Sequence, residues 1–461
     1  MQRTLNINTL KNINKTILLK GWVNNRRDHG KIVFFDLRDR SGIIQVVSDQ
    51  NAGNLNSQDV VEIEGKVIKR PEKMVNKKIP LGTVEIQAEK IKVIQKAHEL
   101  PFDMGGPDLN VELPTLLDHR SLTLRHPKVI AIFKIQEVIL KTFRNFLRSQ
   151  DFTEISVPTI VATATEGGSE VFPVEYFDKK AYLAQSPQFY KQIMVGIFER
   201  VFTVAHAYRA EPSVTTRHMT EYVGLDAEMG FIENWTEVLE MADKTVKEIF
   251  EQIQKNCSHE LGLFNASIPK TIAKTPRLKL KEAQEIIFKR TKKDHRNESD
   301  LDPEDEREIC RWALEEKGSE LVFITHYPTK KRPMYTHTDP KNPEETLGFD
   351  LIGRGVEWIT GGQRINDYKK LLTNIKKWGC DPKDFETPYL QAFKYGMPPE
   401  GGFCLGLERI TQNILGLKNV RESTLFPRDM TRIDVRLSKG TKRPRHPEES
   451  ATKDPQKNST S

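Results

Sequence analysis

Apolar positions in the first hundred residues fall into five short segments bounded by Gly, Asp or Asn: TILLKGWV, KIVFFDLRD, GIIQVVS, VVEIEGKVIKR and TVEIQAEKIKVI. Each alternates or runs apolar over strand length, which predicts β-strands. Five strands of this length suit a small closed barrel of the OB type. The pattern lapses after Lys96, where Pro, Gly and Asp crowd a stretch without period, AHELPFDMGGPDLNVELPTLLDHRSLTLRHP. A helical spacing then sets in (Ile130, Ile132, Phe133, Ile135, Val138, Ile139, Phe143, Phe146, Leu147) and predicts a long amphipathic helix. The segment TEISVPTIVA that follows reads as a strand interrupted by Pro158.

Beyond it, β-like runs (AYLAQ, ERVFTVAHAYRAE, YVGLDAEMGFI) mix with helical ones, without a regular βαβ alternation. One helix, PEDEREICRWALEEKG, has Asp302 placed to cap it, Pro303 in its first turn and acids at its positive end. The expected class is α+β, with a catalytic domain on an antiparallel sheet flanked by helices behind the N-terminal OB-fold β-barrel. The expected bounds are 1–100 for the barrel, 101–127 for a linker, 128–436 for the second domain and 437–461 for a disordered tail. That tail is nearly devoid of apolar residues, and its basic KRPRH cluster reads as solvated rather than as an RNA contact.

Composition narrows the classes. With 37% hydrophobic and 29% charged residues the chain is globular, and no apolar run reaches the ~18 residues a membrane helix needs. The first residues lack the apolar core of a signal peptide. Four scattered cysteines, Cys257, Cys310, Cys380 and Cys404, form neither a disulfide framework nor a zinc pattern and fit a reducing, cytoplasmic setting. A net charge of +7 adds weak support for a polyanionic partner. Neither a GxxxxGK[ST] loop nor a strand-linked GxGxxG is present.

The chemistry gathers in YRAEPSVTTRHMTEYVGLDAEM, read as a hairpin with a polar loop. Arg209 would come from the first strand, Arg217 and His218 from the loop, and Tyr222, Asp226 and Glu228 from the return strand. Guanidinium groups hold phosphates by paired charge-assisted hydrogen bonds, an aromatic can stack on a base, and carboxylates can hold a metal or an ammonium group. A surface hairpin laced with salt bridges would look the same in isolation. Three further clusters break the tie. GFDLIGRGVEWITGGQR carries Asp350, Glu357, Thr360 and Arg364; GGFCLGLERI places Arg409 behind a Gly-rich turn; TEGGSEVFPVEYFDKKAYLAQSPQFYKQ carries Glu166, Gln188 and Lys191.

In these four clusters the chain resembles the class II aminoacyl-tRNA synthetases, and among them the aspartyl enzymes of the compact archaeal/eukaryotic type. FTEISVPTI is similar to the first class II motif, AYRAE…TTRH to the second and GLGLERI to the third. The resemblance implies an ATP-dependent ligase that couples L-aspartate to tRNA(Asp) through an aspartyl-adenylate, using Mg²⁺, as a cytoplasmic homodimer. It implies catalytic roles for Arg209 and Arg409. The ATP set would comprise Arg209, Glu211, Arg217, His218, Met219, Tyr222, Glu357, Gly406 and Arg409, with Glu357, Thr360 and Asp350 at the metal. Aspartate would meet Glu166, Gln188, Lys191, Arg209, Asp226, Thr360 and Arg364. Thr360 stands where the family usually has Ser, and Tyr222 where it usually has Phe.

Two cations suit a substrate with a second carboxylate. A neutral amide facing Lys191 and Arg364 would leave buried charge unpaired. That disfavours an asparaginyl enzyme, while the presence of Arg209, Glu357, Arg364 and Arg409 disfavours a non-catalytic RNA-binding relative. His326 and Cys404 read as bystanders. The barrel would read the anticodon by stacking and edge contacts through Arg26, Phe34 and Gln45. Asn24, where discriminating archaeal enzymes tend to carry a bulky aromatic, leans the reading towards tRNA(Asn) as a second acceptor. An amidotransferase partner would then be required.

Overall fold

The structure, a computed structural model, describes residues 1–30, 32–49, 52, 54–76, 79–163, 171–211 and 215–437. The tail beyond 437, two lysines of the NKKIPLG loop and Glu166 lie outside the described residues. The chain divides into two units, Met1–Leu116 with Ser121–His126, and Leu117–Arg120 with the chain from Pro127 onward.

The first unit holds a closed barrel of β1 (Thr16–Asp28), β2 (Val33–Asp39), β3 (Gly42–Ser48), β4 (Val60–Lys69) and β5 (Val84–Gln95), in the order β1-β2-β3-β5-β4. Among the described barrel strands, β3 and β5 pair in parallel and the other neighbours pair antiparallel. Alternation sends Phe35, Leu37, Ile44, Val46, Val61 and Ile63 inward to the core. The outward face of β2 and β3 carries Phe34, whose ring meets His29 edge-on at 5.5 Å, and Gln45, paired in register with Asp36. A bulge between Val23 and Asn25 resets β1, so that Arg27 lies opposite Phe34 and Arg26 opposite the inward Phe35. Phe34 and Gln45 therefore share a face that Arg26 does not. Asn24, at the bulge, is buried.

In the second unit the strands are β6 (Thr153–Glu154), β7 (Ile160–Val161), β8 (Pro173–Tyr176), β9 (Lys179–Leu183), β10 (Arg200–Tyr208), β11 (Glu221–Gly230), β12 (Arg277–Lys279), β13 (Leu321–Thr325), β14 (Thr338–Asp339), β15 (Asn342–Thr346), β16 (Gly348–Gly353), β17 (Val356–Gln363) and β18 (Glu400–Gly406). Eight of them form one sheet, β12-β13-β16-β17-β18-β11-β10-β6. Its interior pairs are antiparallel, but the edge strands β12 and β6 run parallel to their neighbours, so the sheet is mixed. The single strand expected over TEISVPTIVA is two short ones in different sheets, β6 in the large sheet and β7 in a small sheet with β9 and β8. Pro158, which lacks an N–H, falls between them.

One face of the large sheet packs against helices Pro127–Ser149 and Thr236–Asn256 through Phe143, Leu147, Phe202, Leu225, Phe349, Trp358 and Phe403. Strand alternation then directs Gly224, Asp226 and Glu228 to the opposite face, since Leu225, Ala227 and Met229 belong to the core. On β17 the register with β16 skips Trp358: Glu357 pairs with Ile352 and Ile359 with Leu351. That bulge lets Trp358 and Ile359 both join the core while Glu357 and Thr360 remain on the cavity side.

Candidate active site

A cavity of about 440 Å³ opens on the sheet face opposite those two helices. Among the expected site residues it gathers Gln188, Lys191, Arg209, Glu211, Arg217, His218, Met219, Tyr222, Asp226, Glu357, Thr360, Arg364, Gly406 and Arg409. Asp350 lies just behind the lining, beside Thr360 in register.

One end of the cavity is a buried charge lattice. Helix Gln188–Phe198 turns Gln188, Lys191, Gln192 and Val195 onto one buried stripe, at the i, i+3, i+4, i+7 spacing of a core face. Lys191 is 1% exposed; its Nζ donates to Asp226 Oδ1 at 2.8 Å and lies 3.2 Å from Glu228 Oε2. Burial alone would lower the lysine pKa, but Asp226 and Glu228 outweigh it and hold the ammonium above its usual value. Arg364 Nε donates to Glu228 Oε1 at 2.7 Å and Nη2 to Gly402 O at 2.9 Å. Glu228 thus bridges both cations. A Cβ at Gly402 would stand 2.1 Å from Glu228 Oε2, so only glycine leaves room for that bridge. Behind the lattice, Glu400 accepts from Gln192 Nε2 at 2.9 Å, and burial together with Glu228 raises its pKa well above the carboxylate range. Burial, then Asp226, likewise holds the Cys404 thiol far above its usual value, which leaves it protonated and unreactive.

The other end of the cavity is cationic and open. Arg209 follows directly on β10, with its guanidinium 5.4 Å from the Tyr222 ring centre and 3.9 Å from Glu211 Oε1. Arg217 Nη1 donates to Glu306 Oε2 at 2.8 Å. His218 shares a 2.6 Å hydrogen bond with Thr215 Oγ1; burial, and then the arginines around it, lower its pKa despite Glu211. Met219 Sδ accepts from Thr424 Oγ1 at 3.2 Å. Gly406 caps helix Leu407–Leu415, whose first turn carries Arg409; Arg409 Nη1 donates to Glu357 O at 3.1 Å and lies 3.5 Å from its Oε1. Glu408, in the same turn, accepts from Val223 N–H at 3.2 and 3.1 Å and ties the helix to β11.

Between the two ends stand the residues expected at the metal. Arg332 Nη2 donates to Asp350 Oδ2 at 2.6 Å and Nη1 to Thr360 Oγ1 at 3.0 Å, and its guanidinium lies 3.9 Å from the Tyr327 ring centre. Glu357 faces the cavity. Packing by the surrounding protein, and then the nearby Asp350, raise its pKa to about 7, with Glu306 adding to the repulsion. Two carboxylates and a hydroxyl, Glu357, Asp350 and Thr360, are hard oxygen donors gathered at one place, a set that fits a divalent cation such as Mg²⁺.

Sequence reasoning missed three participants. Glu228 reads from the sequence as a member of the return strand without a role of its own, though its two-residue spacing from Asp226 puts both on one face. Arg332 lies in coil 18 and 28 residues from its partners Asp350 and Thr360, and no periodicity announces it. Glu306 read only as a helix N-terminal acid. Glu166 lies outside the described residues, and Arg26, Phe34 and Gln45 belong to the barrel unit.

Residues 112–430 match the family described as tRNA synthetases class II (D, K and N), and residues 17–94 match an OB-fold nucleic acid binding domain. The chain is 42% identical to the aspartate–tRNA(Asp/Asn) ligase of Deinococcus radiodurans, over 94% of this chain and 99% of that one. It is 41% identical to the aspartate–tRNA(Asp) ligase of Pyrococcus horikoshii, over 91% and 96%. Among solved structures, asparaginyl-tRNA synthetase of Pyrococcus horikoshii complexed with asparaginyl-adenylate superposes with a TM-score of 0.84 at 32% identity, covering 92% of this chain and 97% of that one. Aspartyl tRNA synthetase of Entamoeba histolytica gives 0.82 at 29%, covering 94% and 93%. With a family match over most of its length and relatives above 40% identity, the chain belongs to the class II tRNA synthetases of the D, K and N group.

Proposed function

We propose that this protein is an aspartate–tRNA ligase: it activates L-aspartate with ATP and transfers the aspartyl group to tRNA(Asp), with tRNA(Asn) as a second acceptor. The observation that carries the choice of amino acid is the pair of buried cations, Lys191 and Arg364, on the cavity floor. The substrate's second carboxylate would join that lattice. Asp226, already bonded to Lys191, would orient the cation or receive the α-ammonium group, with Gln188 alongside and Thr360 at the rim. Asp226 and Glu228 already pair with the two cations, so a substrate carboxylate would take over a contact that one of them makes, and an uncharged amide would not displace it, which is the basis for discrimination against asparagine.

ATP would occupy the cationic end. Arg209, in that end, would hold the α-phosphate and stabilise the charge that grows there as the substrate carboxylate attacks. Arg217, His218 and Arg409 would grip the outer phosphates, with Glu211, Met219 and Tyr222 around the base. When bound, Mg²⁺ supplies charge neutralisation to the phosphate oxygens. Glu357 and Thr360 would hold it from the cavity wall, with Asp350 behind them, and Arg332 bonds to both Thr360 and Asp350. One oxygen of the substrate α-carboxylate would attack the α-phosphorus in line, forming the aspartyl-adenylate as the bond to the β-phosphate breaks and pyrophosphate leaves, with the lattice at one end and the arginines at the other holding the two reactants in one cavity.

The barrel face bearing Phe34 and Gln45 would stack and read anticodon bases. Asn24 brings no bulky aromatic to the barrel, which supports tRNA(Asn) as the second acceptor. The aspartyl-tRNA(Asn) so formed would pass to an amidotransferase. A homodimer in the cytoplasm completes the reading. No helix among the described residues is long and apolar enough to cross a membrane. Aspartate-dependent ATP–pyrophosphate exchange tests the assignment: exchange with aspartate and none with asparagine supports it, and the reverse overturns it.

A further inference from the structure

We propose that Glu306 is a positioning residue for ATP: it clamps the far edge of the Arg217 guanidinium and so aims that arginine's remaining N–H groups into the cavity, towards the outer phosphates. The inference rests on reading the cavity as an ATP site.

Two acceptors from different parts of the chain converge on the Arg217 guanidinium. Arg217 Nη1 donates to Glu306 Oε2 at 2.8 Å, and Nη2 donates to Gly355 O at 3.2 Å. Glu306 comes from helix Pro303–Lys317, and Gly355 from the turn between β16 and β17. Neither belongs to the β10–β11 hairpin that carries Arg217, so the arginine is held from outside its own loop. A guanidinium offers five N–H donors in a rigid fork, and these two bonds leave the others for a ligand. Arg217 lines the cavity, so part of the fork faces the ligand space.

The acceptors are themselves built in. Gly355 sits at φ +78°, and a Cβ there would stand 2.5 Å from Arg307 Cγ, so the turn packs directly onto the helix that bears Glu306. Glu306 is not needed to cap that helix. Asp302 accepts from the N–H groups of Glu304 and Asp305, and Asp305 returns a bond to Asp302 N–H, which completes the reciprocal cap. The pair is also largely covered, at 23% and 14% side-chain exposure. An exposed ion pair contributes little, whereas a covered one to a planar fork adds geometric definition. Orientation of this kind matters because a phosphate ligand displaced by an ångström loses much of its contribution to an in-line transfer.

The test uses the full-length protein and two readouts: calorimetric binding of a non-hydrolysable ATP analogue with Mg²⁺, and ATP–pyrophosphate exchange. Glu306→Ala is expected to weaken analogue binding about tenfold while the KM for aspartate stays within about twofold. Glu306→Gln, which keeps an acceptor, is expected to recover most of the loss. In an Arg217→Ala background, Glu306→Ala is expected to add nothing, because its effect passes through Arg217. Additive losses in that cycle, or unchanged analogue binding in Glu306→Ala, would overturn the proposal. So would a parallel rise in both KM values with a lowered Tm and no rescue by Gln, which marks a purely structural residue. Wild type that binds the analogue but shows no aspartate-dependent exchange would refute the substrate assignment and leave the Glu306 cycle readable.

Discussion

Replacing Lys191 by Met removes one charge from the lattice and little volume. Lys191 is 1% exposed, and its Nζ is the cation at 2.8 Å from Asp226 and 3.2 Å from Glu228. Glu228 keeps Arg364 at 2.7 Å, so Asp226 is the carboxylate left without its counter-ion. Removing one partner of a buried pair costs about 3–5 kcal/mol, and the surviving Arg364–Glu228 pair places the variant near the lower end, about 3 kcal/mol. The loss in substrate recognition is larger in effect. A site built for a second carboxylate that then presents Asp226 unopposed should lower kcat/KM for aspartate by about 10³-fold or more. Stability and activity separate in the double variant Lys191→Met/Asp226→Asn. With neither charge present, most of the lost stability should return, while aspartate-dependent exchange stays near background. Urea melts and pyrophosphate exchange on the same preparations give both numbers. A single variant that loses less than about 1 kcal/mol and still activates aspartate at near wild-type rate would refute the assignment of the lattice as the aspartate pocket.

Arg209→Gln should lower kcat for adenylate formation by about 10²–10³-fold in single-turnover measurements, with little change in Tm, if the guanidinium meets charge that develops in the transition state. Glu408 is buried, which raises its pKa to about 7 against an ordinary 4.5, so the folded state binds this proton more tightly than the unfolded chain does. Its contribution therefore falls as pH rises from about 4.5 to about 7, by about 3 kcal/mol in all. Glu408→Gln should accordingly raise Tm relative to wild type at pH 8 and leave it unchanged near pH 4; an equal shift at both would contradict the reasoning. Phe34→Ala should raise the KM for tRNA about tenfold without affecting pyrophosphate exchange, as loss of a stacked base implies. Arg27→Ala should raise the same KM, and Arg26→Ala should not, because the β1 bulge puts Arg27 on the Phe34 face.

The barrel was legible because each of its five strands is long enough to show alternation, and the GIIQVVS segment coincides with β3. The large sheet was legible at its centre, where the hairpin of β10 and β11 and the strands β16, β17 and β18 carry the recognisable clusters. Its edges were not. Strand β12 has three residues and β6 has two, too few for any period, and both pair in parallel with distant partners. The same limit applies in the site. Residues on recognisable strands and turns could be named from their spacing, while Arg332 and Glu306 act through partners far away in the chain. Cys404, read as a bystander, lines the cavity next to Asp226, where burial keeps its thiol protonated.

The most direct test offers purified tRNA(Asp) and tRNA(Asn) to the enzyme, each with labelled aspartate or asparagine. Aspartate on tRNA(Asp) and on tRNA(Asn), with no asparagine on either, is the predicted result. Asparagine on either tRNA would contradict the account, because the two cations of the cavity floor would then be accepting a substrate that brings them no charge.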